Sequence, residues 1–212
     1  MPLDIALFVL GPLENNTYLA ADRSTGKAVL IDPAANSAEA VREARARGWD
    51  LQAVWLTHAH FDHFSGVQEA VDAWGKSIPV GLHPADLPLW RRKGGADRFG
   101  MAIDPGPQPT LAFSAGQVLS LGESQLEVRF IPGHTAGHVV FYSAADKTVF
   151  CGDVIFNGSI GRTDLPGGDF DLLTAGIRRE LLSLPDDTRL LPGHGPATTV
   201  GRERRYNPFV KE

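Results

Sequence analysis

Six residues, His58-Ala59-His60-Phe61-Asp62-His63, hold three of the chain's seven histidines together with a carboxylate. Imidazole and carboxylate are the donors favoured by borderline divalent ions such as zinc, and solvation or packing does not produce such clustering. His58 and His60 are two residues apart, so on extended chain both face one side and could bind one ion. Asp62 and His63 follow after the chain turns and could face a second position beside the first.

The elements that must deliver these groups are legible in the apolar runs. Four runs end in a residue able to bind metal: Leu51 to Leu56 before His58, Arg129 to Gly133 before His134, Thr148 to Cys151 before Asp153, and Arg189 to Gly193 before His194. The second and fourth repeat the pattern Arg-apolar-apolar-Pro-Gly-His, which hints at a sheet built twice. Strand ends gathered on one edge are where α/β folds place their sites. On this reading His134 and His194 each add an imidazole to one ion and Asp153 bridges the two. The sets are then His58, His60 and His134 for one metal and Asp62, His63 and His194 for the other. Three protein ligands and a bridge leave room for water, which marks a catalytic centre.

Between these runs strand and helix patterns alternate, which predicts an α/β fold. Tyr18 to Ala21, Ala28 to Ile31 and Ile78 to Leu82 read as strands, and Val67 to Trp74 as a helix. A further helix is expected over Ala38 to Arg47, capped by Ser37 and ended by Gly48. Pro84 could open another. The Gly- and Pro-rich stretch Arg92 to Pro109 has no period and reads as a long surface loop, a possible cleft wall. His83, and His138 at the start of the strand His138 to Tyr142, read as hydrogen-bonded or core histidines. Cys151 reads as core.

Composition narrows the function. At 212 residues, with 43% hydrophobic and 21% charged residues, the chain fits one soluble domain. A net charge of -5 offers no broad cationic surface for nucleic acid. Arg91, Arg92 and Lys93, and the run Arg202 to Arg205, read as solvated local charge. Met1 to Leu13 lacks the basic start of a signal peptide, and no apolar run reaches membrane-spanning length. One cysteine permits no internal disulfide, which fits the cytoplasm.

The combination His-x-His-x-Asp-His, Pro-Gly-His134-Thr-x-Gly-His138, Gly152-Asp153 and Pro-Gly-His194-Gly resembles the metallo-β-lactamase superfamily. Cys151 to Asp164 and Asn207-Pro208-Phe209 are similar to its glyoxalase II (hydroxyacylglutathione hydrolase) branch, over almost the whole chain. The resemblance implies a four-layer αββα sandwich over residues 1–212, with a dinuclear centre at one edge of the sheets, and thioester hydrolysis. Two departures bear on the substrate. The helical segment that helps full-length glyoxalase II hold glutathione is missing between His194 and Asn207, and Gly195-Pro196 stands where that family has a tyrosine. Arg162 matches a basic position used on glutathione's glycine carboxylate, and could equally anchor its loop.

The chemistry expected is hydrolysis of an S-2-hydroxyacylglutathione-type thioester by hydroxide held between two divalent ions, with Asp62 and Asp153 as the catalytic carboxylates. Zinc is the first expectation, and iron or manganese also suit the donors. The substrate would be a small-molecule thioester, with no nucleic acid or membrane partner. The chief alternative is a mononuclear iron persulfide dioxygenase using His58, His134 and Asp153. Lactone hydrolysis is a further one, and a non-enzymatic metal sensor or scaffold stands outside these classes.

Overall fold

The computed structural model describes residues 3–211. Met1, Pro2 and Glu212 lie outside them, and with them the start of the leader reading and the outer bounds of the 1–212 domain. The first half builds one mixed sheet from β1 (Leu3–Leu10), β2 (Asn15–Asp22), β3 (Lys27–Ile31), β4 (Asp50–Trp55), β5 (Val80–Leu82) and β6 (Leu111–Ala112), paired in that order. β1 to β3 are antiparallel neighbours and β3 to β6 parallel ones. The parallel steps require crossovers, supplied by α1 (Ala38–Ala46) between β3 and β4 and α2 (Val67–Trp74) between β4 and β5. A short helix, α3 (Leu87–Arg91), follows β5.

The second half repeats the plan. β7 (Val118–Leu121), β8 (Ser124–Phe130), β9 (Val139–Ser143), β10 (Thr148–Gly152), β13 (Arg189–Pro192) and β14 (Thr198–Thr199) form a sheet ordered β14-β13-β10-β9-β8-β7. The hairpin β11 (Ile155–Phe156) and β12 (Ser159–Ile160) stands apart from it. α4 (Phe170–Glu180) makes the crossover from β10 to β13, and α5 (Val200–Tyr206) follows β14.

Strand alternation divides the core into three. Leu19, Ala21, Ala28 and Leu30 face Val41, Ala44, Val67 and Trp74 on the helices. Tyr18, Ala20, Val29 and Ile31 point the other way, against Val128, Phe141 and Phe150 of the second sheet. Val149, Cys151 and Leu190 on that sheet's far side pack under Leu173, Ile177 and Leu181. The result is the four-layer αββα sandwich. Trp55 ties the sheets together just before the histidine cluster, its ring 5.2 Å from Phe141 and 6.4 Å from Phe113.

Several expectations need correction. β1, apolar on both faces, was not expected as a strand. Ser37 precedes α1, but its hydroxyl donates to the Ala34 carbonyl at 2.6 Å and caps nothing. The segment from Arg92 is not all loop, since Lys93–Phe99 forms tight helical turns that bury Ala96. No helix of the described residues is long and apolar enough to cross a membrane.

Candidate metal centre

All four donor-bearing strands open at the same edge. β4 leads through Leu56 and Thr57 to His58, and Phe61–His63 is a single 3-10 turn that swings Asp62 and His63 round. β8 leads to His134, β10 to Asp153 and β13 to His194. Two backbone bonds hold the edge closed between the sheets: Val139 N–H to the Thr57 carbonyl at 2.9 Å, and Asn16 N–H to the Gly193 carbonyl at 2.6 Å. The Asn16 amide adds bonds to the Pro192 and Gly195 carbonyls, fixing the loop that carries His194.

The donor atoms gather into two sets, His58 with His60 and His134, and Asp62 with His63 and His194, each within 4.8 Å. His60 Nδ1 lies 2.8 Å from His134 Nε2. In the other set His194 Nε2 is 3.1 Å and His63 Nε2 3.6 Å from Asp62 Oδ2. Asp153 sits between the sets. Its Oδ2 is 3.6 Å from His134 Nε2 and 3.7 Å from His194 Nε2, and its Oδ1 is 3.3 Å from His63 Nε2 without hydrogen-bond alignment.

The far side of three rings fixes which nitrogen carries the proton. A carbonyl can only accept, so His134 Nδ1 donates to the Arg162 carbonyl at 2.8 Å. His63 Nδ1 donates to Asp32 Oδ2 at 3.0 Å. The Thr57 hydroxyl spends its one hydrogen on Asp32 Oδ2, so at 3.0 Å it accepts from His58 Nδ1. Each ring thereby turns its Nε2 inward, bare at His58 and His134 and at His63 a place for a cation, either a proton or a metal ion. Buried as they are, His58 Nε2, His63 Nε2 and Asp153 Oδ1 have no hydrogen-bond partner among the described residues. Orphaned buried acceptors are costly unless a cation satisfies them, so imidazoles and carboxylates here fit divalent ions. A Cβ on Gly193 would stand 2.3 Å from Asp153 Oδ1 and 2.6 Å from His63 Cε1, so only glycine leaves this centre its shape.

Electrostatics differ across the centre. Burial, followed by the crowding of neighbouring imidazoles, holds His58 well below the usual histidine range and His60 down to about 3. Burial likewise lowers His134 against the pull of Asp153. These rings are neutral, the form in which an imidazole can bind a metal ion. Burial also opposes protonation of His63, but Asp153 and Asp62 outweigh it and raise its pKa well above the ordinary value. Asp153 would be raised by burial, and His63 instead drives it far below the carboxylate range. The pair of ionised carboxylates makes this half a site for positive charge.

Three supporting residues escaped sequence reasoning. Asp32 bonds His63, the Thr57 hydroxyl and, at 2.8 Å, the Thr57 N–H. It also falls in the third cluster of close donors, with His58 and His63. Its oxygens are already used in these bonds, which makes it a clamp and not a ligand. Thr57 is the relay between Asp32 and His58. Asp86 accepts from Ala59 N–H, Thr135 Oγ1 and Gly137 N–H at 2.9, 2.7 and 2.6 Å, so one buried carboxylate joins both histidine loops. His138, expected as a buried hydrogen-bonded ring, accepts the Asp153 N–H at 3.1 Å and stacks on His58. His83 stacks on Phe130.

Above the centre lies a cleft of about 270 Å³ walled by Leu13, Phe61, Phe99 and Leu165, with Asp62, Asp153 and His194 at its floor. Phe99 makes the expected cleft wall of the segment after Arg92. Arg162 is also on the rim, with its guanidinium bonded twice to Asp164 at 2.8 Å.

Comparison with known proteins bears on this geometry. The model of the metallo-beta-lactamase superfamily matches residues 10–194. The chain is 33% identical over 214 residues to hydroxyacylglutathione hydrolase GloC of Haemophilus influenzae, covering 98% of each. Among solved structures, the BLEG-1 B3 metallo-beta-lactamase superposes with a TM-score of 0.91 at 33% identity, covering 99% of this chain and 100% of that one. TTHA1623, solved in a di-iron-bound form, gives a TM-score of 0.86 at 42% identity, over 96% and 99% of the two chains.

Proposed function

The chain belongs to the metallo-β-lactamase superfamily as a metal-dependent hydrolase, and we propose that the bond it breaks is a thioester of the S-2-hydroxyacylglutathione type. The observation that carries this reading is the pair of donor sets facing each other across Asp153. Likeness to a hydroxyacylglutathione hydrolase supports the substrate, and likeness to a protein solved with two irons supports a dinuclear centre.

In this reading His58, His60 and His134 would hold one ion, Asp62, His63 and His194 would hold the other, and Asp153 would serve both. Divalent ions held there, zinc first and iron or manganese as alternatives, would supply a lowered water pKa and positive charge for the thioester carbonyl oxygen. The residues do the rest. Asp62, on the cleft floor, accepts a hydrogen bond from the attacking water and orients it. Water oxygen forms the new bond to the acyl carbon, the carbon–sulfur bond breaks with its electron pair on sulfur, one water proton ends on the thiol and the other is released with the carboxylate. Leu13, Phe61, Phe99 and Leu165 exclude bulk water from the acyl group. Arg162 would meet an anionic substrate group only by releasing Asp164, an exchange that an exposed pair permits at small cost.

A small-molecule substrate suits a cleft of this size, without nucleic acid or membrane, and the single buried cysteine suits the cytoplasm. The test is thiol release from S-lactoylglutathione by metal-loaded protein, run beside oxygen consumption with glutathione persulfide. Thiol release without oxygen uptake is expected. Oxygen uptake without hydrolysis would replace the thioester reading with persulfide oxygenation.

A further inference from the structure

We propose that Arg92 and Arg98 form an anion-binding subsite beside the metal centre, which selects thioesters bearing a carboxylate on one arm. The inference rests on the hydrolase reading above and names a feature of its substrate.

Arg91, Arg92, Lys93 and Arg98 put four cations within eight residues, against one acid, Asp97, in a chain of net charge -5. Sequence alone made the first three solvated charge, and the fold leaves all four exposed, two of them beside the centre. Arg92 and Arg98 line an apolar depression with Leu89, Phe99, Leu165 and His60, and the last three also line the catalytic cleft. None of the four cations has an ion-pair or hydrogen-bond partner for its side chain among the described residues. Arg162, by contrast, is held by Asp164.

The backbone is shaped to put them there. Lys93, Gly94 and Gly95 all have positive φ, at 54°, 62° and 75°, a run that costs a non-glycine residue strain. A Cβ on Gly94 would lie 2.3 Å from Phe61 N and 2.8 Å from the Ala59 carbonyl. The basic turn is thus pressed against the loop that carries His60 and Asp62. A substrate arm leaving the metal centre over Phe99 and Leu165 would run along the depression that the Arg92 and Arg98 side chains line, and a carboxylate at its end would suit their planar donors.

The carboxylate could sit on the acyl arm or on the thiol arm, and three thioesters separate these cases. They are butyryl-N-acetylcysteamine, neutral on both arms, succinyl-N-acetylcysteamine, anionic on the acyl side, and S-acetylglutathione, charged on the thiol side. Values of kcat/KM are measured for the wild type, R92A/R98A and the charge-keeping R92K/R98K. Binding of the three matching non-hydrolysable thioethers is measured by calorimetry. An anionic substrate is expected to be preferred over the neutral one. That ratio should fall about tenfold in R92A/R98A, mainly through KM, and recover in part in R92K/R98K. The arm whose charge carries the preference identifies the source. An unchanged ratio, or equal losses on charged and neutral substrates, would overturn the subsite while leaving hydrolysis intact. If no thioester is cleaved but anionic thioethers bind the wild type more tightly than R92A/R98A, hydrolysis falls and the subsite stands. Absence of anion-dependent binding overturns it.

Discussion

His63 illustrates how one carboxylate orients an imidazole toward a candidate metal centre. Asp32 takes the Nδ1 hydrogen, so the ring is locked with Nε2 toward Asp62 and Asp153, and through Thr57 the same carboxylate orients His58. Removing it frees one ring from each donor set. Asp32→Ala is therefore expected to weaken metal affinity by about 10- to 100-fold, read by competition with a chelator. Unchanged affinity would contradict the clamp. Asp32 was within reach of the sequence, because it follows the apolar run Ala28 to Ile31 as Asp153 follows Thr148 to Cys151. Asp86 was not, since a lone acid after a proline is an ordinary turn residue. Its partners at Ala59, Thr135 and Gly137 become neighbours only when the two sheets pack.

Elements explain what was legible and what was hidden. Runs such as Leu51 to Leu56 and Thr148 to Cys151 announce buried strands, and the residue after each has a fixed direction at the sheet edge. The turns over Lys93–Phe99 have no apolar period, because three successive positive φ angles set their path. Away from the centre, Asp22 at the end of β2 joins the two sheets. It accepts from Ser124 Oγ at 2.6 Å and from Ser24 and Thr25 in its own turn. Burial acts to raise its pKa, yet these donors outweigh burial and hold the carboxyl below the usual range. A depressed carboxyl contributes stability above its unfolded pKa of about 4 and loses it as pH falls through the folded value. The gap in urea midpoint between wild type and Asp22→Ala is thus expected to be widest at neutral pH and to narrow below about pH 4. A gap that stays constant into acid would remove this role.

For the whole molecule, the fold sacrifices local satisfaction for a shared edge. Five imidazoles and two carboxylates crowd where β4, β8, β10 and β13 end, and several bury polar atoms that nothing else in the described residues satisfies. Such an arrangement makes sense when ions complete it. Between His194 and Asn207 only β14 and α5 intervene, and on the proposed reading substrate recognition falls to the cleft, lined by Phe99 and Arg162, and to the adjoining depression, lined by Arg92 and Arg98. The most direct test of the central claim is a calorimetric titration of metal-stripped protein with zinc, with thioester hydrolysis assayed at each step. Two ions per chain, with hydrolysis appearing as the sites fill, is the expected result; saturation at one ion with no hydrolysis would contradict a dinuclear hydrolase.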